Sequence, residues 1–165
     1  MAINLATVIH QQSPTLLFDA DPQGSALHWS AITDSEQVPQ VVDATDDTSG
    51  PIQEYRDTVE HIVIDCPPAL HSVQTRTALE HCDVALIPVL PSPLDLWATV
   101  DVNDAVTQVQ STNPGLNPLL VINQLEPRTK LSSLVRDTIT ELDMPAAETA
   151  LRRRAIYIAS ILQGR

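Results

Sequence analysis

One pattern, which occurs twice, constrains this chain most: a short apolar run, an aspartate at its end, and then proline. The first instance is Thr15-Leu16-Leu17-Phe18-Asp19-Ala20-Asp21-Pro22-Gln23-Gly24-Ser25, and the second is His61-Ile62-Val63-Ile64-Asp65-Cys66-Pro67-Pro68. Brief apolar runs of this kind suit strands covered on both faces, as in a parallel sheet. Proline removes a ladder donor and so ends each strand close to its acids. In open parallel α/β sheets ligands bind beyond the carboxyl ends of the strands, which places Asp19, Asp21 and Asp65 where chemistry is done. Aspartate is also a favoured helix N-cap, so Asp19 and Asp21 carry a structural reading too, as caps of the helix that follows. Acids at two neighbouring strand tips are a common way to hold Mg²⁺ beside a nucleotide phosphate.

The rest of the chain alternates in the same sense. Ala2 to Gln12 reads as a helix with a broad apolar face, and Ser25 to Ile32 as a short one carrying Trp29. Thr33 to Gly50 is acidic and turn-rich, with Asp43, Asp46 and Asp47. It reads as a surface loop, with a short strand at Val41-Val42 as the alternative. Pro51 suits the first turn of a helix running through Val59. Further helices are expected over 72–81, 94–111, 128–142 and 155–162, with strands at 61–65, 83–89, 118–123 and, briefly, 146–149. Alternating strands and helices predict a doubly wound, mostly parallel sheet flanked by helices. No repeat or linker divides residues 1–165.

Composition narrows the class. Apolar residues make up 43% of the chain and aromatic ones 3%, so the core must be aliphatic. No run approaches the roughly 18 apolar residues that span a bilayer. The start lacks the basic region of a signal peptide, so a cytoplasmic location is expected. Cys66 and Cys82 lack metal-ligand spacing, and the five histidines form no i, i+4 pair. The net charge of −12 is unevenly spread: residues 1–127 carry −15 and residues 128–165 carry +3. That asymmetry permits a cationic face on an acidic body, which suffices to touch nucleic-acid phosphates.

Asp19-Ala20-Asp21-Pro22-Gln23-Gly24 followed by Asp65-Cys66-Pro67-Pro68 resembles the ParA family of deviant-Walker partition ATPases. Ile87-Pro88-Val89-Leu90-Pro91-Ser92-Pro93-Leu94-Asp95 and the tail Arg152 to Leu162 are similar to the small ParF-like plasmid-partition members, and Met1 to Ala6 resembles the helix directly after the family's phosphate loop. The resemblance implies a P-loop NTPase-like fold, ATP or ADP with Mg²⁺ as cofactor, and DNA segregation by nucleotide-switched dimerisation. It implies that Asp21 positions the attacking water, that Asp19 and Asp65 stand near the magnesium, and that Pro91, Ser92, Pro93 and Asp95 border the nucleotide and the dimer face. It implies nonspecific DNA contact by Arg152, Arg153 and Arg154, extended by Arg128, Lys130 and Arg136. The expected partners are a second copy or a complete paralogue, DNA and a centromere-binding adaptor, with no membrane.

Each assignment has a plainer counterpart. Pro91 to Asp95 also reads as a rigid strand-to-helix connection with Asp95 as a cap, and the arginine trio as a solvated turn or a source of internal salt bridges. The tail 156–162 reads as a packed terminal helix rather than a membrane-seeking one. The family's loop pattern, Lys-Gly-Gly-x-Gly-Lys-Thr, is absent: no glycine precedes a lysine, and the one lysine is Lys130. The resemblance therefore implies a single nucleotide-binding domain that is incomplete at both ends, without the first, central strand and its loop. Such a chain is expected not to hydrolyse ATP alone. Two further readings stand beside it: a loop-less regulator that dimerises with a complete paralogue, and an ATP-dependent amidase or synthetase of the same superfamily.

Overall fold

In the computed structural model, which describes residues 1–33, 37–125 and 144–154, a strand with no exposed residue organises the first half of the chain. β1 (Thr15–Asp19) is buried throughout. It is the middle of a parallel sheet in the order β2-β1-β3, between β2 (Gln40–Asp43) and β3 (His61–Asp65). Its side chains divide between two cores, as strand geometry requires. Leu16 and Phe18 pack with Ala44 and with Ile52 and Tyr55 of α3 (Ser49–Tyr55). Leu17 faces the other way, with Ala6 of α1 (Ala2–His10) and Ala26 of α2 (Ser25–Ile32). Apolar residues on both faces, each covered by helix, explain why the run shows no alternation.

The expected loop at 33–50 differs from what forms at its centre. Val41 and Val42 lie in β2, opposite Leu17 and Phe18 of β1. They join the Leu17 core and the Phe18 core respectively. Two apolar residues are too few for periodicity to show, and the strand takes its place through its neighbour. The helix expected to run through Val59 ends at Tyr55, where Thr58 N–H and Oγ1 both donate to the Tyr55 carbonyl. α4 (Val73–His81) follows β3.

The chain forms two compact units, Met1–His81 in the first and the described residues from Cys82 onward in the second. The second is built on β4 (Val84–Val89) and β5 (Asn117–Ile122), parallel and in register from Val84↔Asn117 to Val89↔Ile122, joined by α5 (Pro93–Gln110). Val89, Val106, Val109, Leu120 and Ile122 are buried there. The short strand expected at 146–149 appears as backbone pairing along β5: Ala147 N–H donates to the Leu120 carbonyl and Leu151 N–H to that of Ile122. The helices expected at 128–142 and 155–162, with Arg128, Lys130 and Arg136, lie outside the described residues.

The architecture is α/β, with parallel sheets flanked by helices. Within it, β3 and β4 each pair on one side only among the described residues. His61 N–H donates to the Pro14 carbonyl and Asp65 C=O accepts from Ala20 N–H, so the odd-numbered residues of β3 face β1. The backbone groups of Ile62 and Ile64 then point to the open side. On β4 the even positions point away from β5, and one of them is Pro88, which has no donor to leave unpaired. No helix of the described residues is long and apolar enough to cross a membrane.

Candidate functional site

The carboxyl ends of β2, β1 and β3 stop level with one another. Asp19 is the register partner of Asp43 on one side and of Asp65 on the other, so three acids stand in a row across adjacent strand tips. Backbone bonds just past the tips hold the row together: Ala20 N–H donates to the Asp65 carbonyl and Ala44 N–H to that of Asp19, both at 2.9 Å. Asp21 stands two residues beyond β1 in the turn that leads to α2.

The acids are held differently. Asp19 is completely buried. Its Oδ2 accepts from the N–H groups of Ala26 (2.8 Å) and Leu27 (2.9 Å), and its Oδ1 from that of Asp21 (3.3 Å). Asp21 is half-buried, and its Oδ1 accepts from Gln23 N–H at 3.0 Å, closing a local turn. Gly24 ends that turn at φ 63°, a left-handed conformation that glycine adopts without a Cβ penalty. Asp65 is half-buried, and no hydrogen bond reaches its carboxylate among the described residues. Burial raises its pKa, the negative charges of Asp19 and Asp21 push the same way, and the positive amino terminus offsets part of the shift. Asp43 is exposed, and its pKa is lowered by the Thr45 N–H (3.0 Å) and then by the Thr45 hydroxyl (2.7 Å).

The sign of the Asp65 shift gives a stability expectation. A carboxyl whose pKa is raised on folding binds its proton more tightly in the folded state. Stability therefore falls as pH rises from the ordinary carboxylate range through the folded value, and the penalty is complete above it. Asp65→Asn is expected to raise the urea midpoint at pH 7, by a margin that shrinks as the pH drops into the carboxylate range. A lower midpoint at pH 7 would mean that the charge is satisfied in the folded protein.

Asp43 escaped sequence reasoning as a member of the row, although Val41-Val42-Asp43 is the apolar-then-acid pattern in miniature. Pro91 and Ser92 are half-buried between β4 and α5, Ser92 N–H donates to the Leu90 carbonyl at 2.8 Å, and Pro93 and Asp95 are the first and third residues of α5. Proline in that first position has no donor to waste. Arg152, Arg153 and Arg154 are all exposed on the segment paired to Leu125. The strand-tip acids, within one sheet, are thus brought together; the connection and the arginines belong to the second unit. Among the described residues no three His, Cys, Asp or Glu side chains converge closely enough to hold a metal by themselves. Half-buried Asp21 and Asp65 offer hard oxygen donors of the kind Mg²⁺ takes one or two of, with phosphates and water completing its shell.

No protein-family model matches the chain. Among curated proteins, the maintenance of carboxysome distribution protein A of Halothiobacillus neapolitanus is 36% identical over 167 residues, covering 99% of this chain and 77% of that protein. Among solved structures, apo McdA from Cyanothece superposes with a TM-score of 0.81 at 14% identity, covering 99% of this chain and 84% of that one. Cobyrinic acid a,c-diamide synthase from Mycobacterium smegmatis, solved with bound ADP and magnesium, gives 0.75 at 18% identity over 93% of this chain and 80% of that one. At such identities the structural likenesses speak for the fold, a P-loop ATPase fold of the ParA/MinD type, whereas the 36% identity along nearly the whole chain speaks for descent. The chain belongs to the family of the maintenance of carboxysome distribution protein A.

Proposed function

We propose that this chain is the core of a ParA-like positioning ATPase, which distributes an intracellular cargo by nucleotide-switched dimerisation and nonspecific DNA binding. The observation that carries the reading is the in-register pairing of Asp19 with Asp65, with Asp21 in the next turn. The relative's name supports a carboxysome-type body as cargo, and the Pro91 to Asp95 segment keeps the ParF-like plasmid-partition reading beside it. In this proposal a bound Mg²⁺–nucleotide supplies the phosphoryl group and the charge neutralisation for its transfer. Asp65 would reach the cation through water, Asp19 would lend negative charge from beneath, and Asp21 would orient a water. Pro91, Ser92, Pro93 and Asp95 would border the nucleotide and the dimer face.

The phosphate clasp, a loop of backbone amides with its lysine, would be supplied from outside these 165 residues. The open side of β3 supports this, because a parallel strand laid along it would give the N–H and C=O groups of Ile62 and Ile64 their partners. A second reading, a regulator that dimerises with a complete paralogue, shares every one of these residues. The amidase or synthetase reading is less favoured, since the relative that matches along the whole chain is named for distribution rather than synthesis.

The DNA contact is tested through Arg152, Arg153 and Arg154. Anisotropy on a nonspecific duplex, with Mg²⁺–ATP and a complete paralogue present, is expected to weaken steeply with salt. Changing all three arginines to alanine is expected to reduce the log–log salt slope by about 3, at roughly 0.9 per phosphate released. Binding that ignores salt, or that survives the triple change, would remove DNA from the proposal.

A further inference from the structure

We infer that Asp19 is a positioning residue: its carboxylate ties the turn carrying Asp21 to the first turn of α2, and so fixes where Asp21 stands beside Asp65. What Asp21 does there rests on the nucleotide reading above; how it is held rests on geometry alone. The first N–H groups of a helix have no partner within it. α2 begins after Gly24, which has no side chain to offer, so no local cap is available. Asp19 supplies one from seven and eight residues upstream, through Ala26 and Leu27. Its other oxygen takes the Asp21 N–H, at the opposite end of the same turn. The turn is then closed on itself by Gly24 N–H donating to the Asp21 carbonyl at 2.8 Å.

A buried carboxylate keeps its charge where donors surround it, and the positive end of a helix adds to that. Asp19 has three N–H donors, one of its oxygens is shared by two of them, and its exposure is nil. A cation on either oxygen would have to displace helix amides. Half-buried Asp21 and Asp65 face no such competition, apart from the single Gln23 N–H on Asp21. The three acids therefore divide by role, with Asp19 setting the frame and the other two presenting oxygens.

The test is amide exchange and Mn²⁺ line broadening, both by NMR, on the full chain, on Asp19→Asn and on Asp21→Ala. In the parent, the amides of Ala26 and Leu27 are expected to be as protected as those of β1. If they exchange as fast as the uncapped first-turn amides of α1, the inference is overturned without any variant. Asp19→Asn is expected to speed exchange at Ala26 and Leu27 by about tenfold, the usual scale of a lost cap, while Asp21→Ala leaves both protected. In the parent, millimolar Mn²⁺ is expected to broaden Asp21 and Asp65 together. In Asp19→Asn the broadening should persist at Asp65 and fall at Asp21, an effect that simple loosening of α2 does not produce. Equal loss at both acids would make Asp19 a ligand and overturn the inference, as would unchanged exchange at Ala26 and Leu27. Should Mn²⁺ broaden neither acid in the parent, the nucleotide reading fails, and the exchange rates still decide the role of Asp19.

Discussion

Phe18→Ala is expected to cost about 3–5 kcal/mol, read as a drop in the urea midpoint without a change in slope. Phe18 is fully buried in the central strand of the first unit, packed with Leu16, Ala20, Ala44 and Ile52. Its ring meets Tyr55 edge to face, with centroids 6.0 Å apart and planes at 74°, a geometry that adds about 0.5–1.5 kcal/mol beyond area burial. Aromatic residues are 3% of the chain, so no neighbouring ring can swing in to fill the space. Against a total stability of roughly 5–15 kcal/mol, a loss of that size removes a large part of the margin. Val84→Ala, at a residue 52% exposed, is the control and is expected to change stability by less than about 0.5 kcal/mol. Should the Phe18 change cost no more than the Val84 change, β1 is not the central strand.

Much of this fold could be read from the chain because the tips of β1 and β3 combine three independent signals. The apolar run requires cover on both faces, the proline stops the ladder, and the acid stands where a strand meets solvent. Leu16, Leu17 and Phe18 lie as those signals require, on two faces of a covered strand. What escaped was decided by neighbours in space. Val41 and Val42 are a strand because β1 lies beside them, and Asp43 joins the acidic row only through that pairing. The two structural parts expected of Asp19 and Asp21 also separated. Asp19 caps α2 through Ala26 and Leu27, while Asp21 closes a turn on Gln23. A cap offered from seven residues away leaves no local signature, since capping patterns in sequence span about three residues. Cargo was hidden for another reason: the residues from Asp19 to Gly24 serve the nucleotide reading, and that chemistry is indifferent to what is being distributed.

Nucleotide affinity is where the largest effect is expected. Asp19, Asp21 and Asp65 present negative charge toward the place a triphosphate would occupy, and the sequence offers no Lys-Gly-Gly-x-Gly-Lys-Thr loop to counter it. Fixed amides and a lysine normally supply both the hydrogen bonds and the charge that hold phosphates, so affinity without them falls by orders of magnitude. Supplying the strand and loop is expected to bring binding into the micromolar range, about 8 kcal/mol of binding free energy. Titration calorimetry of Mg²⁺–ATP into the 165-residue chain as it stands is the direct measurement. The expected result is no saturable heat below about millimolar nucleotide, where binding is worth only about 4 kcal/mol. Saturation at micromolar ATP would contradict it, and would mean that these residues hold the phosphates by a route other than a clasp from outside.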